Sequence, residues 1–400
     1  MLYHFFYPDD VVSSRHFSDF AKGLADLGWD VTVFTSNRFC RNPKINLKVK
    51  KELWQRVKIV RSYRPNFRQA SNTGRMLNSI WMMLAWLVKI ICYPSFDVVI
   101  FGTDPQFCYL IMPFVKLFKQ RTKIAYWGYD LYPEAIIASN MGSLSSLSHL
   151  VKPITGFCYR QVDLMADIGP CMRKVLSSYR HSARCETLVP WALVEPTNIP
   201  LSNERIRLNL FGKCSIAILY SGTIGNAHTF IEFLALAREL RRRNADIVLC
   251  FAGRGNRYDT LISKVTEDDT NIRFAGFAKE NELEERLAAA DLHMVSLRDG
   301  WEGIVVPSKF FGSLAAGKPV IFAGAGDSSI KQWIEEYGVG FYLHSRNVQL
   351  VANKLCSLTL NREVLTQMQQ RAFSCYQTNF ARKIVLRKWS DCLEQCIGSA

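Results

Sequence analysis

Residues 299–324, DGWEGIVVPSKFFGSLAAGKPVIFAG, constrain the fold more than any other stretch of the chain. They read as a loop, a short helix, a turn and a buried strand. Pro307 suits a first helical turn, where its missing N–H leaves no bond unmade. Gly317 falls where a left-handed residue ends a helix. Phe310, Phe311, Leu314 and Ala315 give that helix one apolar face. Lys318-Pro319 then leads into Val320-Ile321-Phe322, a run fit for a parallel strand covered on both faces. Lys309 falls in the first helical turn, where the helix dipole disfavours a cation. An anion in front of it, most simply a phosphate, would reconcile the two. Glu302 lies just upstream. The same residues also fit a plain βαβ crossover with a solvated lysine.

The pattern around this stretch repeats along the chain. Residues 2–7 predict a strand, 17–28 a helix with Phe17, Phe20, Leu24 and Leu27 on one face, and 31–34 the next strand. Further strands are expected at 97–102, 122–127, 162–168 and 186–189, with a helix over 109–118. This is the alternation of a doubly wound sheet. The stretch from Pro190 to Pro200 carries three prolines and little periodicity, so it reads as a linker. A second βα series follows, with strands at 216–220, 247–252, 272–277 and 292–297, a helix over 230–243 and a last helix over 380–397.

Ligands of such sheets bind outside the carboxyl ends of the strands. The residues placed there are therefore the candidates. Ser221-Gly222-Thr223-Ile224-Gly225 follows the first strand of the second series, where glycines let a diphosphate approach the backbone. Gly253-Arg254-Gly255 follows the next strand, and Arg254 could hold a phosphate bidentately or be an ordinary loop arginine. In the first series, Asp9-Asp10 and Ser13-Ser14 follow the first strand. Asp130 and Glu134 follow the strand at 122–127. Asp9-Asp10 could equally be a solvated turn, and Asp130 a helix cap.

The stretch VPSKFFGSLAAGKPVIFAG resembles the donor-site signature of family 4 (group 1) glycosyltransferases, a retaining group of the GT-B fold. It is closest to the branch that builds exopolysaccharides of the colanic acid type. The resemblance covers most of the chain and is strongest from Leu219 to Gly340. It implies an α/β GT-B protein: two Rossmann-like doubly wound domains facing a central cleft, with a C-terminal helix crossing back to the first. The domains would be an acceptor-binding one over 1–195, a nucleotide-sugar-binding one over 196–379, and the crossover helix over 380–400. Many members carry two Glu eight positions apart, the second three residues before Ala-Ala-Gly. Here Gly312 stands at the second place, where the family's Glu usually holds the ribose. Glu302, two positions from the first place, takes the sugar contact. The family's Arg after the first glycine of the donor loop is Thr223 here, so the cationic work falls to Lys309 and Arg254. The resemblance places Gly222, Thr223, Gly225, Gly303, Val306, Pro307 and Ser308 around the donor and the base near Phe277 and Ala278. Asp130, in a segment like the family's Asp-Leu-Trp-Pro-Glu turn, would orient the acceptor, with Asp9, Ser13, Ser14 and Glu134 beside it. Reaction with retention would need no metal, no cofactor and no dedicated protein base.

Charge adds a partner. Residues 1–200 hold 25 Lys and Arg against 14 Asp and Glu, and residues 38–75 alone hold twelve against Glu52. So localised an excess points to an anionic surface, lipid or nucleic acid. No nucleic-acid recognition motif accompanies it, and few aromatics are interleaved for stacking. The apolar, Trp-bearing stretch 76–93 follows directly. Its unbroken apolar part, Ile80–Val88, falls well short of the ~20 residues a span needs. An amphipathic helix, in the core or dipping into a membrane surface through Trp81, Trp86 and Tyr93, is expected. A peripheral position at a membrane surface is expected from these residues, and the resemblance to the exopolysaccharide branch implies the cytoplasmic face of the cell membrane and a lipid-linked saccharide as acceptor. No apolar leader follows Met1. The twelve cysteines lack metal-site spacing and most, Cys92, Cys108 and Cys250 among them, lie in apolar runs, as buried reduced thiols do. No Ser-His-Asp order, zinc spacing or P-loop is present. Two other readings keep the same architecture: a sugar-nucleotide epimerase and a non-catalytic relative.

Overall fold

The computed structural model describes residues 1–69, 71–139, 143–278 and 282–398, without the side chains of 143–149. It divides into two compact units: Met1–Val189 with Lys383–Ala400, and Pro190–Arg382.

In the second unit, six parallel strands run in the order β10-β9-β8-β11-β12-β13. They are β8 (Ile216–Thr223), β9 (Ile247–Arg254), β10 (Ile272–Ala275), β11 (Leu292–Leu297), β12 (Val320–Gly324) and β13 (Gly340–Leu343). Successive side chains of a strand point to opposite faces, and both faces here are packed. Ile216, Ile218 and Tyr220 join Leu249 and Phe251 in one core, which the helix Ile231–Arg242 covers with Phe233, Leu236 and Leu240. Ala217, Leu219, Cys250 and Ala252 join the other core, under Leu210 and Phe211 of the helix Glu204–Phe211. All five residues of β12 are buried.

The helix before β12 spans Lys309–Ala315, with Ser308 at its N-cap. Pro307 therefore precedes the helix and is not in its first turn; its carbonyl accepts from Phe310 N at 3.2 Å. At the other end Gly317 adopts φ +66°. Its N–H bonds the Leu314 carbonyl and that of Lys318 bonds Ser313, both at 2.9 Å. This double bond closes the helix, and it needs a left-handed residue at Gly317.

The first unit carries β1 (Thr32–Ser36), β2 (Lys51–Trp54), β3 (Val57–Ser62), β4 (Val98–Phe101), β5 (Lys123–Trp127), β6 (Leu164–Asp167) and β7 (Arg184–Thr187). They form the runs β1-β3-β2 and β4-β5-β6-β7. The expected strand 2–7 is only a bridge: Leu2 pairs in parallel with Phe34 and with Phe101, joining the two runs. The backbone bends at His4, whose N–H turns to the Asp104 carbonyl at 3.0 Å. The first helix starts earlier than expected, at Val12, and ends at Asp26.

The basic segment also differs from expectation, because β2 and β3 lie inside it. Arg61 and Arg64 are buried. Arg61 pairs with Glu52, and Arg64 donates to the Phe39 carbonyl at 3.1 Å. Eight of the twelve basic residues stay exposed: Arg41, Lys44, Lys48, Lys50, Lys51, Arg56, Lys58 and Arg68.

The helix after it spans Asn72–Cys92 and, among the described residues, is the one helix long and apolar enough to cross a membrane. One stripe, with Met82, Met83, Trp86 and Ile90, is buried in the unit. Trp86 is thus a core residue, not an interfacial one. Met76, Leu77, Ile80, Trp81, Leu84 and Val88 are exposed on the rest of its surface.

The last helix, Arg382–Gly398, belongs to the first unit and is anchored by Trp389. That ring lies 5.0 Å from both Phe20 and Trp127. Trp29 Nε1 donates to Ser390 Oγ at 2.9 Å. All twelve cysteines are unpaired; Cys108 and Cys250 are buried, but Cys92 is exposed.

Candidate active site

The carboxyl ends of β8 and β9 meet side by side in the second unit. Gly222 pairs with Gly253 and Thr223 with Arg254 in the ladder. The strands can approach there because Gly253 lacks a Cβ, while the bare Gly222 leaves room for the Lys309 side chain. A Cβ on Gly253 would lie 2.1 Å from the Gly222 carbonyl oxygen. One on Gly222, at φ +123°, would lie 2.9 Å from Lys309 Cε. The Lys309 stem therefore lies across the glycine, and its Nζ reaches the Thr223 carbonyl at 3.3 Å. The same carbonyl accepts from Tyr220 Oη at 2.8 Å, and Nζ sits 5.2 Å from the Tyr220 ring centre.

Among the described residues no carboxylate pairs with Lys309 or Arg254. Burial without a counter-ion lowers the Lys309 pKa from 10.5 to about 8. The Arg254 guanidinium lies 4.2 Å from the centre of the Phe277 ring, which is 40% exposed, a cation–π arrangement. Lys309, Thr223, Arg254 and Phe277 are thus brought together around two strand ends. Ala278 and Gly225 lie in the adjoining loops, each half-buried. Gly303 turns at φ +75°, Val306 is buried and Ser308 is exposed at the helix start.

Glu302 is not part of this contact group. Its Oε2 accepts from its own loop, from Gly300 N at 2.7 Å. A Cβ at Gly312 would meet nothing within 4 Å.

His228 is a member of the site that the sequence reading passed over. Its Nδ1 lies 2.9 Å from the Ser296 carbonyl, which makes Nδ1 the protonated nitrogen and Nε2 the free one. Burial and the Lys309 charge lower its pKa to about 3, so the ring is neutral. The available signal was its place in the loop after β8, where a cationic clamp was sought and none found.

In the first unit the strand ends gather carboxylates. Water reaches Asp130, yet desolvation by the protein around it, then the Asp104 charge, raises its pKa to about 6. Asp130 does not cap the next helix, Glu134–Ala138, whose N-cap is Pro133 with no side-chain bond. Asp104 is the residue missed here. Its Oδ1 lies 3.2 Å from Nδ1 of the buried His4. Asp104-Pro105, just past the β4 strand, was the legible sign.

The other acceptor-side candidates are less open. Glu134 is buried and accepts from the Tyr179 hydroxyl. Asp9 is buried too, so it is no solvated turn; Oδ2 accepts from Cys40 N at 2.6 Å and Oδ1 from Val11 N at 3.3 Å. Desolvation raises its pKa. Ser13 is half-buried and Ser14 fully buried, both within the helix Val12–Asp26. No group of three or more His, Cys, Asp or Glu suited to a metal occurs among the described residues.

Residues 205–374, which contain the Lys309 group, match the family model described as glycosyl transferases group 1. The chain is also 23% identical, over 311 residues and 76% of each chain, to the probable glycosyltransferase WbjE of Pseudomonas aeruginosa. Solved structures resemble this chain along nearly its whole length. Sucrose-phosphate synthase from Thermosynechococcus elongatus aligns with a TM-score of 0.68 at 12% identity, over 98% of this chain and 94% of that one. Anabaena Alr3699/HepE in complex with UDP and glucose gives 0.67 at 13%, over 98% and 99%. WaaG, a glycosyltransferase involved in lipopolysaccharide biosynthesis, gives 0.63 at 15%, over 98% of each. The fold is GT-B.

Proposed function

We propose that this glycosyltransferase moves a hexose-type sugar from a UDP- or GDP-sugar to a saccharide acceptor, with retention at the anomeric carbon. The observation that carries the reading is Lys309. A half-buried ammonium with no carboxylate paired to it among the described residues, at two glycine-lined strand ends and a helix start, is a site short of an anion. A nucleotide diphosphate supplies one. Alr3699/HepE, of the same fold, is known with UDP and glucose, which supports the choice.

In the reaction the bond from the anomeric carbon to the diphosphate breaks, and its electron pair leaves with the phosphate oxygen. The acceptor hydroxyl oxygen bonds to the same face of that carbon, and its proton passes to the departing phosphate. Lys309 and Arg254 stabilise the charge that develops there, with no metal. Phe277, backed by Arg254, offers a face for the base. Gly222, Thr223 and Gly225 approach the diphosphate through backbone, and Gly303, Val306, Pro307 and Ser308 form the adjoining wall. Glu302 turns to the sugar on binding. Asp130 orients the acceptor.

The acceptor we infer is a saccharide on a lipid carrier, at the cytoplasmic face of the cell membrane, in assembly of an exopolysaccharide. The exposed apolar surface of the helix Asn72–Cys92 supports this; on that helix burial, and then the neighbouring Lys51 and Lys50 charges, lower the Lys89 pKa, so these cations lie beside it. Each exposed Lys or Arg near an anionic leaflet adds up to ~1 kcal/mol.

The test is thermal stabilisation by a panel of nucleotide sugars, followed by turnover with the best donor. A ligand at 100 times its Kd adds about 2.7 kcal/mol. Lys309→Ala should cut turnover by roughly 100-fold. A panel in which no UDP- or GDP-sugar shifts the melting temperature would sink the reading.

A further inference from the structure

A second cationic site lies in the same unit, on the far side of the loop that carries His228. It is a cavity of about 290 Å³. Arg257, Lys264 and Arg298 line it together with Thr229 and Thr260, and none of its lining residues is acidic. Among the described residues, none of those three cations is in a salt bridge. Arg257 Nη1 donates to the His228 carbonyl at 3.2 Å and Arg298 Nη1 to that of Asn226 at 3.4 Å. Those bonds fix two guanidinium groups by one nitrogen each and leave their other N–H groups to a ligand. The helix Ile231–Arg242 starts in the cavity wall, at Phe230, with no side-chain cap. Its dipole reinforces the positive field. Glu232, in the first turn of that helix, accepts from Thr229 Oγ1 at 3.0 Å. One wall is apolar, formed by Phe230, Leu234 and Leu261, all nearly buried.

We infer that this cavity binds a small phosphate monoester, of the size of a sugar phosphate, as a site separate from the Lys309 group. Two guanidinium forks and an ammonium match a phosphate dianion, which two arginines can hold with parallel N–H bonds. The volume is at the lower end for ligand pockets, which suits a phosphorylated monosaccharide better than a nucleotide sugar. The apolar wall gives the ring of such a ligand a surface that free phosphate would not use. His228 stands between the two sites, its ring near enough to feel both the Lys309 and the Arg257 charge. Arg298 N also bonds the Ala227 carbonyl, at 2.8 Å.

Calorimetry on the full chain tests this, with inorganic phosphate, glucose 6-phosphate and glucose as probes. Glucose 6-phosphate should bind saturably, with a Kd of about 1 mM or tighter, phosphate more weakly, and glucose not at all. Arg298→Gln should weaken glucose 6-phosphate at least tenfold. Lys264→Glu, at an exposed position that does not endanger folding, should do the same. Lys309→Ala should leave it within twofold. The inference is overturned if neither Arg298→Gln nor Lys264→Glu weakens binding, if Lys309→Ala abolishes it, or if glucose 6-phosphate gives no saturable heat. None of these outcomes depends on glycosyl transfer.

Discussion

Replacing Lys309 with methionine should stabilise the protein while disabling it. The folded-state pKa of Lys309 is about 8, against 10.5 for a free lysine. At 1.36 kcal/mol per unit the upper bound on the cost of burying this ammonium is about 3 kcal/mol. Lys309 is only half-buried, and its Nζ keeps a carbonyl and an aromatic face. Solvent screening and these contacts bring the cost to about 1–2 kcal/mol. Methionine keeps the stem's length and apolar contacts without the charge. The sign follows from linkage. A lysine whose pKa is lowered by folding opposes folding at every pH below the folded value, and the penalty fades as pH rises from about 8 to 10.5. Lys309→Met should therefore raise the melting temperature by roughly 2–8 °C at pH 7, and by progressively less toward pH 10. UDP should reverse the ranking, because it supplies the counter-ion that only the wild type can use. The assay is calorimetric melting at pH 7 and pH 10, with and without saturating UDP. A variant less stable than wild type at pH 7, or equally stabilised by UDP, would refute the reasoning.

Three further outcomes are expected. Because the Asp130 pKa is raised to about 6, kcat/KM should fall as pH drops through 6 if the carboxylate orients the acceptor, and Asp130→Asn should be slower but flat across that range. Trp389→Ala, which empties a buried aromatic site between Phe20 and Trp127, should cost about 3–5 kcal/mol in urea unfolding of the first unit. Trp81→Asp with Leu84→Asp, both at exposed positions, should release the protein from anionic vesicles at low salt without changing the far-UV circular dichroism; equal sedimentation of variant and wild type would place the membrane contact elsewhere.

The sequence determined the local elements and the class of fold. Apolar runs marked most of the buried parallel strands, since a strand covered on both faces must be short, apolar and flanked by helices; β2 and β3, in the basic segment, carried no such run. Gly317 fixed a helix end because only a residue free at positive φ closes it. Gly222, Arg254 and Lys309 were legible as candidates because a doubly wound sheet exposes the carboxyl ends of its strands. What the tertiary structure decided were the contacts between residues far apart in the chain. Lys309 reaches the Thr223 carbonyl across Gly222, where a Cβ would lie 2.9 Å from Lys309 Cε. Arg61 and Arg64 leave the basic surface because β3 and the segment just after it run into the core, where Glu52 and backbone carbonyls take their charge. Trp86 and Trp81 lie on one helix, yet one is core and the other exposed, a difference set by where the sheet touches that helix and by nothing in their immediate sequence. His228 and Asp104 acquire meaning the same way. Each is an ordinary loop residue until packing places it beside its partner, His228 at the Ser296 carbonyl and Asp104 at His4, through distances that local sequence does not encode.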